Sequence, residues 1–142
     1  MNTLKKIYSW VDASYAAHDD MRSHTGGITS FGRGAVCAKS SKQKINTKSL
    51  TEAELVGVSD FLPHLIWFLL FLKYQGYPLD DNRIYQDNQS SICLEKNGRN
   101  YCTGNIRHID IKYFFVKDRG NNGEVSISYC LTDNILADYY TK

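Results

Sequence analysis

Five short segments of the chain have the composition and spacing of β-strands. The second and third flank Gly32-Arg33-Gly34, and this glycine-containing spacing predicts a hairpin. The last alternates strictly between apolar and polar residues, which predicts one solvent-facing side and a place at the edge of a sheet. The five predicted strands are Ile7–Ala13, Gly26–Phe31, Ala35–Lys39, Arg83–Asp87 and Glu124–Tyr129.

A helical period replaces the strand pattern in the middle of the chain. Apolar residues recur every three or four positions through Leu55–Leu72, so we expect one face of this helix to pack on a core. Two spacings near its start, Ser49–Glu52 and Thr51–Glu54, match a capping box. We expect Pro63 to kink or split the helix and Pro78 to follow its end.

The second half of the chain alternates between predicted strands and helices. Helices are expected over Asn88–Lys96 and Ile106–Arg119, with the polar loop Asn97–Asn105 between them, and Thr132 is expected to cap a last helix that runs to Lys142. Three strands followed by this alternation predict an α/β fold, with a mixed sheet and helices on both faces. Aromatic residues of the two longer helices are expected in the core rather than as a surface for base stacking: Trp67, Phe68, Phe71, Tyr113, Phe114 and Phe115.

Length and composition narrow the class of protein further. The 142 residues fit one domain, residues 1–142, and 42% apolar with 23% charged residues is typical of a globular protein. A net charge of +2 neither requires nor excludes a nucleic-acid partner. The apolar run Leu65–Leu72 is shorter than the roughly 20 residues of a membrane span. No signal-peptide pattern follows Met1, so we expect an intracellular protein without a membrane partner.

Acidic residues stand at the ends of two predicted strands. Asp12 ends the first and Asp87 the fourth; if these strands are parallel neighbours, about 4.8 Å apart, both carboxylates lie at one edge of the sheet. Glu54 lies in the first turn of the long helix, and Asp138 lies in the last helix. Converging acids repel one another, so such a site is stable mainly with divalent cations bound. Oxygen ligands, with the four cysteines widely spaced, favour Mg²⁺ or Mn²⁺ over zinc, and two such ions suit phosphodiester hydrolysis.

The residues alone leave another interpretation open. Asp12 and Asp87 could simply cap the turn or helix that follows each of them, and the spacing supports this as well as it supports a metal site. Glu52 and Glu54 could serve only to stabilise the helix dipole, and Asp138 could be a solvated surface acid.

Six sequence blocks occur in order along nearly the whole chain: Val11–Ser14, Arg22–Gly26, Leu50–Glu54, Gln86–Ser91, Arg107–Tyr113 and Leu136–Lys142. Together they closely resemble the ribonuclease H domain at the carboxyl end of copia-type LTR retrotransposon Pol polyproteins. The resemblance implies a ribonuclease H-like, five-stranded mixed sheet of order 3-2-1-4-5, in which strand 2 is antiparallel. It also implies magnesium-dependent cleavage of the RNA strand of RNA–DNA hybrids.

By position, the resemblance implies a tetrad that binds two Mg²⁺ ions, with Mn²⁺ as the alternative, and carries catalysis: Asp12, Glu54, Asp87 and Asp138. Glu54 is preferred to Glu52 because family helices place an apolar residue directly after the catalytic glutamate, as Leu55 follows here. The chain departs from cellular and retroviral relatives in one respect. Its loop between the last strand and the last helix, Cys130–Asp133, contains no histidine, so turnover could be slow.

Polar residues near this predicted site could contact an RNA–DNA hybrid. Lys42 and Lys44 lie in a lysine-rich loop before the helix that carries Glu54 and could follow phosphates, with a solvated loop as an equal alternative. Arg107 opens a helix, where a surface role competes with contact to the hybrid. Three further residues adjoin the acids and could donate to phosphate or to a ribose 2′-hydroxyl: Ser14, Asn88 and Gln89.

The sequence therefore supports two main hypotheses. The first is a ribonuclease H that hydrolyses hybrid RNA by a two-metal mechanism during reverse transcription. The resemblance then implies the reverse transcriptase domain of the same polyprotein as partner, and a cytoplasmic virus-like particle, or the nucleus, as location. The second is a catalytically silent scaffold or hybrid-binding domain from a decayed or domesticated element. The four retained acids argue against this second hypothesis. A resolvase-like DNA nuclease fits the acids but not the six blocks.

Overall fold

Strands and helices follow the order of an α/β fold in the computed structural model, which describes residues 5–77, 79–92, 107–123 and 125–141. The described residues include two α-helices, α1 (Leu50–Tyr74) and α2 (Arg107–Asn121). They also include a helical turn at residues 89–92 and two 3-10 turns, Thr132–Asn134 and Leu136–Tyr140. The strands are β1 (Lys6–Ser14), β2 (His24–Ser30), β3 (Ala35–Lys42), β4 (Asp81–Gln86) and β5 (Ser126–Tyr129).

The strands form one mixed sheet in the order β3-β2-β1-β4-β5, which confirms the order that the resemblance implied. β1 pairs antiparallel with β2 and parallel with β4, while β5 lies at the edge, as its alternating pattern predicted. The register pairs Trp10 with Tyr85, two residues before Asp12 and Asp87 respectively. Because β1 and β4 are parallel, both aspartates lie at the same edge of the sheet.

The main core lies between the sheet and α1. Ile7 and Val11 of β1 and Ile84 of β4 are fully buried on the face that α1 covers. Each such side chain contributes roughly 1.5–3 kcal/mol through burial, so this layer holds the helix on the sheet. The buried residues of α1 in this core follow the predicted helical period: Leu55, Val58, Phe61, Leu62, Leu65 and Leu72.

By length and composition alone, α1 could cross a membrane, since its most apolar stretch has a mean hydropathy of 1.9. In the domain, however, its apolar side chains pack against β1, β2 and α2. One such helix is weak evidence for a span, because the central helix of a globular domain is equally apolar. The core explains the apolar residues on the inner side of α1, while Trp67, Leu70, Phe71 and Tyr74 on its outer side are exposed.

Among the described residues, the opposite face of the sheet is covered by the 3-10 turns. Ile135 and Ala137 are buried there against Ile28, with Trp10 and Tyr85 stacked beside them. The prediction of a last helix capped by Thr132 is therefore wrong. Leu131, and not Thr132, stands at the N-cap of the first turn, and its side chain makes no capping hydrogen bond. Ile135 has an extended backbone because its side chain is buried against the sheet.

Pro63 does not split α1, contrary to one of the two outcomes expected for it. The helix is continuous from Leu50 to Tyr74, with Pro63 on its exposed side. A proline inside a helix costs about 3 kcal/mol. Phe61 and Leu65, buried on either side of the proline, hold both halves of the helix to the same sheet face and outweigh that cost.

The aromatic residues of α1 do not all enter the core, so that expectation is wrong for two of them. Trp67 and Phe71 are exposed, whereas Phe68 of α1 and Phe115 of α2 pack against the core. The side chains of Tyr113 and Phe114, also predicted in the core, lie outside the described part of the chain. Exposure of an aromatic residue at helical spacing depends on the width of the covering layer, which the periodicity of the sequence does not report.

Most element boundaries agree with the sequence to within a few residues. The main difference is β3, which continues through the polar segment to Lys42 because each residue to that point pairs with β2, ending at His24 opposite Lys42. Of the helix predicted over Asn88–Lys96, residues 89–92 are helical and the rest lies outside the described residues, as does the predicted loop Asn97–Asn105.

Candidate active site

Asp12 lies near the end of β1 and is held from the far end of the chain. Its Oδ2 accepts a hydrogen bond of 2.9 Å from the Thr141 hydroxyl, across a separation of 129 residues. The same hydroxyl lies 2.9 Å from the Asp138 carbonyl oxygen, within the turn that carries Asp138. Asp12 and Thr141 are both buried. The last turn therefore packs directly on the Asp12 carboxylate.

Glu54 and Glu52 have separate roles at the start of α1. The Glu52 N–H donates to Ser49 Oγ at 3.2 Å, and its carboxylate accepts the Lys48 N–H at 2.7 Å. This arrangement is the first of the two predicted capping pairs, and it keeps Glu52 at the helix end. Glu54 is turned inward, with 2% of its surface exposed, and its Oε1 accepts the Ala13 N–H at 3.2 Å.

Three of the four predicted acids converge on one point. An oxygen of each of Asp12, Glu54 and Asp87 lies within 4.8 Å of the other two. Burial raises the pKa of Asp12 above its ordinary value, the Thr141 hydrogen bond opposes this rise, and the charges of Asp87 and Asp138 add to it. Asp138 is thus close enough to act on Asp12, although it is not part of the closest group.

The donor set of this cluster suits a hard divalent cation. Its ligands are carboxylate oxygens from β1, α1 and the residue that follows β4, and their mutual repulsion is relieved when positive charge lies between them. An isolated acid that only capped a turn would not need two other carboxylates beside it. The predicted assignment of the four acids to catalysis remains a prediction, but three of them have the arrangement that it requires.

Thr141 is the residue of this site that sequence reasoning missed. A threonine three residues after an aspartate is unremarkable in a sequence, and only the tertiary structure brings it to Asp12. Its position in the block Leu136–Lys142 was the one available signal, because that block also carries Asp138.

The loop that lacks a histidine, Cys130–Asp133, lies beside the cluster. The Cys130 N–H donates to the Gln86 carbonyl at 2.7 Å, and burial together with the nearby charge of Asp87 raises the pKa of the Cys130 thiol. Among the described residues, histidine side chains are engaged elsewhere. His18 and His24 share a hydrogen bond of 3.0 Å, and His64 accepts from Lys39 at 2.9 Å.

The two lysines predicted to follow phosphates are exposed, but they differ in their contacts. Lys42 forms an ion pair of 2.6 Å with Asp20, which Arg22 also approaches at 3.6 Å. Lys42 lowers the pKa of Asp20 through this contact. None of the ion pairs found among the described residues involves Lys44.

Three of the other predicted contact residues lie at or directly after the ends of the strands that carry the acids. Ser14 ends β1, opposite His24 of β2. Asn88 caps the helical turn at 89–92, since its Oδ1 accepts the Ser91 N–H at 3.1 Å, and Gln89 is exposed in that turn. Arg107 is the first residue of α2, and its side chain lies outside the described part of the chain.

Comparison with curated proteins finds Pol polyproteins of plant retrotransposons. The chain is 30% identical over 137 residues to the retrovirus-related Pol polyprotein from transposon TNT 1-94 of Nicotiana tabacum, a match that covers 96% of the chain. It is 31% identical over 143 residues to the corresponding polyprotein from transposon RE2 of Arabidopsis thaliana. The chain spans only 10% of the length of each of these relatives. No family model matches the sequence.

Comparison with solved structures finds ribonucleases H and viral reverse transcriptases. RNase H1 from Halobacterium salinarum NRC-1 superposes with a TM-score of 0.66 at 14% identity, over 95% of this chain and 93% of that protein. A foamy viral protease-reverse transcriptase in complex with RNA/DNA hybrid superposes with a TM-score of 0.58 at 14% identity, over 98% of this chain and 19% of the viral protein. The chain thus matches one segment of retrotransposon Pol polyproteins in sequence, and its fold is that of the ribonucleases H.

Proposed function

We propose that this chain is a metal-dependent endonuclease that hydrolyses the RNA strand of RNA–DNA hybrids during reverse transcription of a copia-type retrotransposon. The observation that carries the proposal is the approach of three buried or half-buried carboxylates, Asp12, Glu54 and Asp87, to within 4.8 Å of one another. The foamy viral relative in fold, which was solved with an RNA/DNA hybrid, supports this choice of substrate.

The acidic cluster would hold two Mg²⁺ ions, with Mn²⁺ as the alternative, through Asp12, Glu54, Asp87 and Asp138. Ions bound in such sites activate the attacking water and stabilise the leaving oxygen of a phosphodiester. The chain itself contributes the positions of the carboxylates. Glu54 is fixed by the Ala13 N–H and Asp12 by the Thr141 hydroxyl, so neither needs to reorganise when cations bind. We expect products with a 3′-hydroxyl and a 5′-phosphate.

Contacts to the hybrid are proposed for the residues around the same edge. Lys44, exposed before α1, and Lys42 would follow phosphates. Ser14, Asn88, Gln89 and Arg107 would donate to phosphate or, at the RNA strand, to the 2′-hydroxyl that distinguishes RNA from DNA.

The test is cleavage of a labelled RNA–DNA hybrid in Mg²⁺, with a chelator control. Asp87→Asn and Glu54→Gln should each reduce cleavage by orders of magnitude, because each removes a charge from the cluster. Glu52→Gln is the matched control. It neutralises a glutamate on the same helix turn that caps the helix, so cleavage should continue at close to the original rate.

Three results would contradict the proposal. Unchanged cleavage by Asp87→Asn would exclude the carboxylate mechanism. An absence of both cleavage and stabilisation of the parent chain by Mg²⁺ would favour the catalytically silent scaffold. Equal cleavage of double-stranded DNA would instead point to a resolvase-like nuclease of the same fold.

The biological setting follows from the same proposal. The chain would act together with the reverse transcriptase of its polyprotein, in a cytoplasmic virus-like particle or, as the alternative, in the nucleus. Co-sedimentation of the chain with particles that contain reverse transcriptase activity would support the cytoplasmic setting.

A further inference from the structure

The second half of α1 carries an aromatic face that this domain leaves uncovered. Its members recur at positions i, i+3, i+4 and i+7 and are all exposed, from 44% for Leu70 to 84% for Tyr74. We call this face the aromatic stripe: Trp67, Leu70, Phe71 and Tyr74. Because an α-helix rises 1.5 Å per residue, the stripe begins about 20 Å from Glu54 and runs away from the acidic cluster.

The rings of the stripe are already arranged in a fixed way. Trp67 and Phe71 stack with ring centroids 5.2 Å apart and planes inclined by 9°. Phe68 meets Trp67 edge to face at 5.1 Å and meets Phe31 in the same manner at 5.7 Å, which ties the exposed rings to the core. Aromatic residues held in one conformation lose little entropy on binding, and such residues dominate the energetics of protein interfaces.

We propose that the aromatic stripe docks this domain onto an apolar polypeptide surface in the remainder of a Pol polyprotein. The first argument is length: the chain spans 10% of its Pol relatives and 19% of the foamy viral protein, so most of each relative lies outside the region matched here. The proposal rests on membership of the Pol group and does not require that the domain cleaves RNA.

The second argument is the place where the described chain begins. The Lys5 carbonyl accepts the Asp80 N–H at 2.7 Å, at the end of the sheet opposite the acids. Asp80 lines a cavity of about 300 Å³ together with Lys73, which belongs to the last turn of α1. Lys73 directly precedes Tyr74, the last residue of the stripe. The start of β1 and the end of α1 that carries Tyr74 therefore lie at the same end of the molecule, where a tether raises the effective concentration of a docking surface.

The third argument is charge, which disfavours an anionic membrane as the occupant. Helices that lie on membranes combine an apolar face with an excess of lysine and arginine. At this end of the sheet two cations are paired with acids, Lys5 with Asp80 at 3.7 Å and Arg83 with Asp81 at 3.2 Å, which reduces the positive charge offered to an anionic surface. A polypeptide partner needs no such excess.

The experiment compares side-chain footprinting of this chain alone and inside a chimaera. The chimaera is the TNT 1-94 Pol polyprotein with its matching segment replaced by this chain, and both proteins carry Asp87→Asn so that docking is measured without cleavage. Labelling of Trp67, Phe71 and Tyr74 should fall severalfold in the chimaera. Leu131, 60% exposed and outside the stripe, should be labelled equally in both.

Variants of the chimaera separate docking from general protection. Trp67→Glu should restore labelling of Phe71 and Tyr74, whereas Leu131→Glu should not. Equal labelling of the stripe in the two proteins would overturn the proposal. So would protection of the isolated chain that grows with its own concentration, which indicates a second copy, or protection seen only with phosphatidylserine vesicles, which indicates a membrane.

Discussion

The candidate carboxylates differ in how firmly single neighbours hold them. Glu54 receives a backbone N–H that no side-chain substitution removes, whereas Asp12 depends on one hydroxyl, that of Thr141. Asp138 is half-buried and affects Asp12 through its charge. Substitutions that leave all four acids in place can therefore still disturb the site, and Thr141 is the position where this effect is expected to be largest.

Thr141→Val should weaken cation binding while the fold is retained, because valine keeps the shape of threonine and loses the hydroxyl that steadies charged Asp12. A hydrogen bond to a charged group contributes about 1.5–3 kcal/mol, so we expect Mn²⁺ affinity to fall roughly tenfold or more. Titration calorimetry with Mn²⁺ measures the affinity, and the cleavage rate should fall with it when the cation is limiting.

Thr141→Ser is the matched control, since serine retains the hydroxyl and should restore most of the affinity. Thr132→Val, at an exposed threonine of the preceding turn, should have no effect. Equal affinities for the valine and serine variants would show that Thr141 acts through packing and not through its hydroxyl.

The raised pKa of Asp12 predicts that this group contributes less to the stability of the cation-free domain as pH rises. Burial and the nearby acids keep its proton bound above the ordinary value of 3.8, so the folded state binds more protons than the unfolded state in this range. The contribution of Asp12 to stability is full below pH 3.8 and is lost as pH rises through the raised pKa. Urea unfolding in EDTA, followed from acid to neutral pH, measures this loss.

Asp12→Asn removes the titrating group, so its stability relative to the parent should increase over the same pH range. Saturating Mg²⁺ should reverse that order at neutral pH, because only the parent can use its carboxylate to bind the cation. A parallel pH dependence for Asp12→Asn and the parent would contradict the burial argument.

At the scale of single residues, the places of the acids in the sequence predicted the site, but they did not predict the contacts that hold the acids. Asp12 and Asp87 were predicted because each stands at the end of a strand, and Glu54 was preferred to Glu52 only through the family resemblance. The structure separates these glutamates physically, since Glu52 caps the helix and Glu54 is buried. The Thr141 contact spans 129 residues and has no local signature.

Among the elements, β2 and α1 meet so closely that a glycine is needed between them. A Cβ at Gly27 would overlap the Phe61 ring, which is itself buried in the core. Gly27→Ala should therefore destabilise the domain by roughly 1–3 kcal/mol, the usual cost of overpacking a core. Chemical denaturation measures the change in the free energy of unfolding.

The smaller residue in Phe61→Leu should reduce the cost of Gly27→Ala, and the coupling is read from a double-mutant cycle. Gly34→Ala is the control, because a Cβ there has nothing within 4 Å. A Gly27→Ala variant as stable as Gly34→Ala would mean that Phe61 moves aside without cost.

The elements were predictable where a single periodicity determined them. The helical period of α1 and a strand near β5 were predicted correctly, but burial does not alternate along β5, where Ser128 is half-buried and Tyr129 is exposed. The last turns were not predictable, since Ile135 is extended by its burial against β2 and not by any local preference. The exposure of Trp67 was not predicted for a similar reason. The sequence of an apolar helix face is the same whether the domain covers the whole face or only part of it.

For the molecule as a whole, local patterns gave the strands and the α/β class but not the order of strands in the sheet. The parallel pairing of β1 with β4 joins segments about 70 residues apart, and only the family resemblance supplied it before the structure. The site depends on that pairing, because it brings Asp12 and Asp87 to one edge. Strand order was thus the part of the fold on which the functional interpretation depended most.

Net charge is also a property of the whole molecule, and with a value of only +2 it cannot by itself attract a hybrid strongly. Binding must then rely on a few local cations, of which Lys44 is exposed and Lys42 is paired with Asp20. Each phosphate contact contributes about 0.9 to the slope of log affinity against log salt concentration on duplex DNA. Lys44→Gln should therefore reduce the slope for a hybrid by about one unit.

Fluorescence anisotropy with the Asp87→Asn variant in EDTA measures this slope without cleavage of the hybrid. Asp20→Asn should strengthen binding at low salt, because it removes a negative charge and releases Lys42 from its ion pair. Lys5→Gln, at the opposite end of the sheet and paired with Asp80, is the matched control and should leave the slope unchanged. Equal slopes for Lys44→Gln and Lys5→Gln would place the phosphate contacts elsewhere and leave the lysine-rich segment before α1 as a solvated loop.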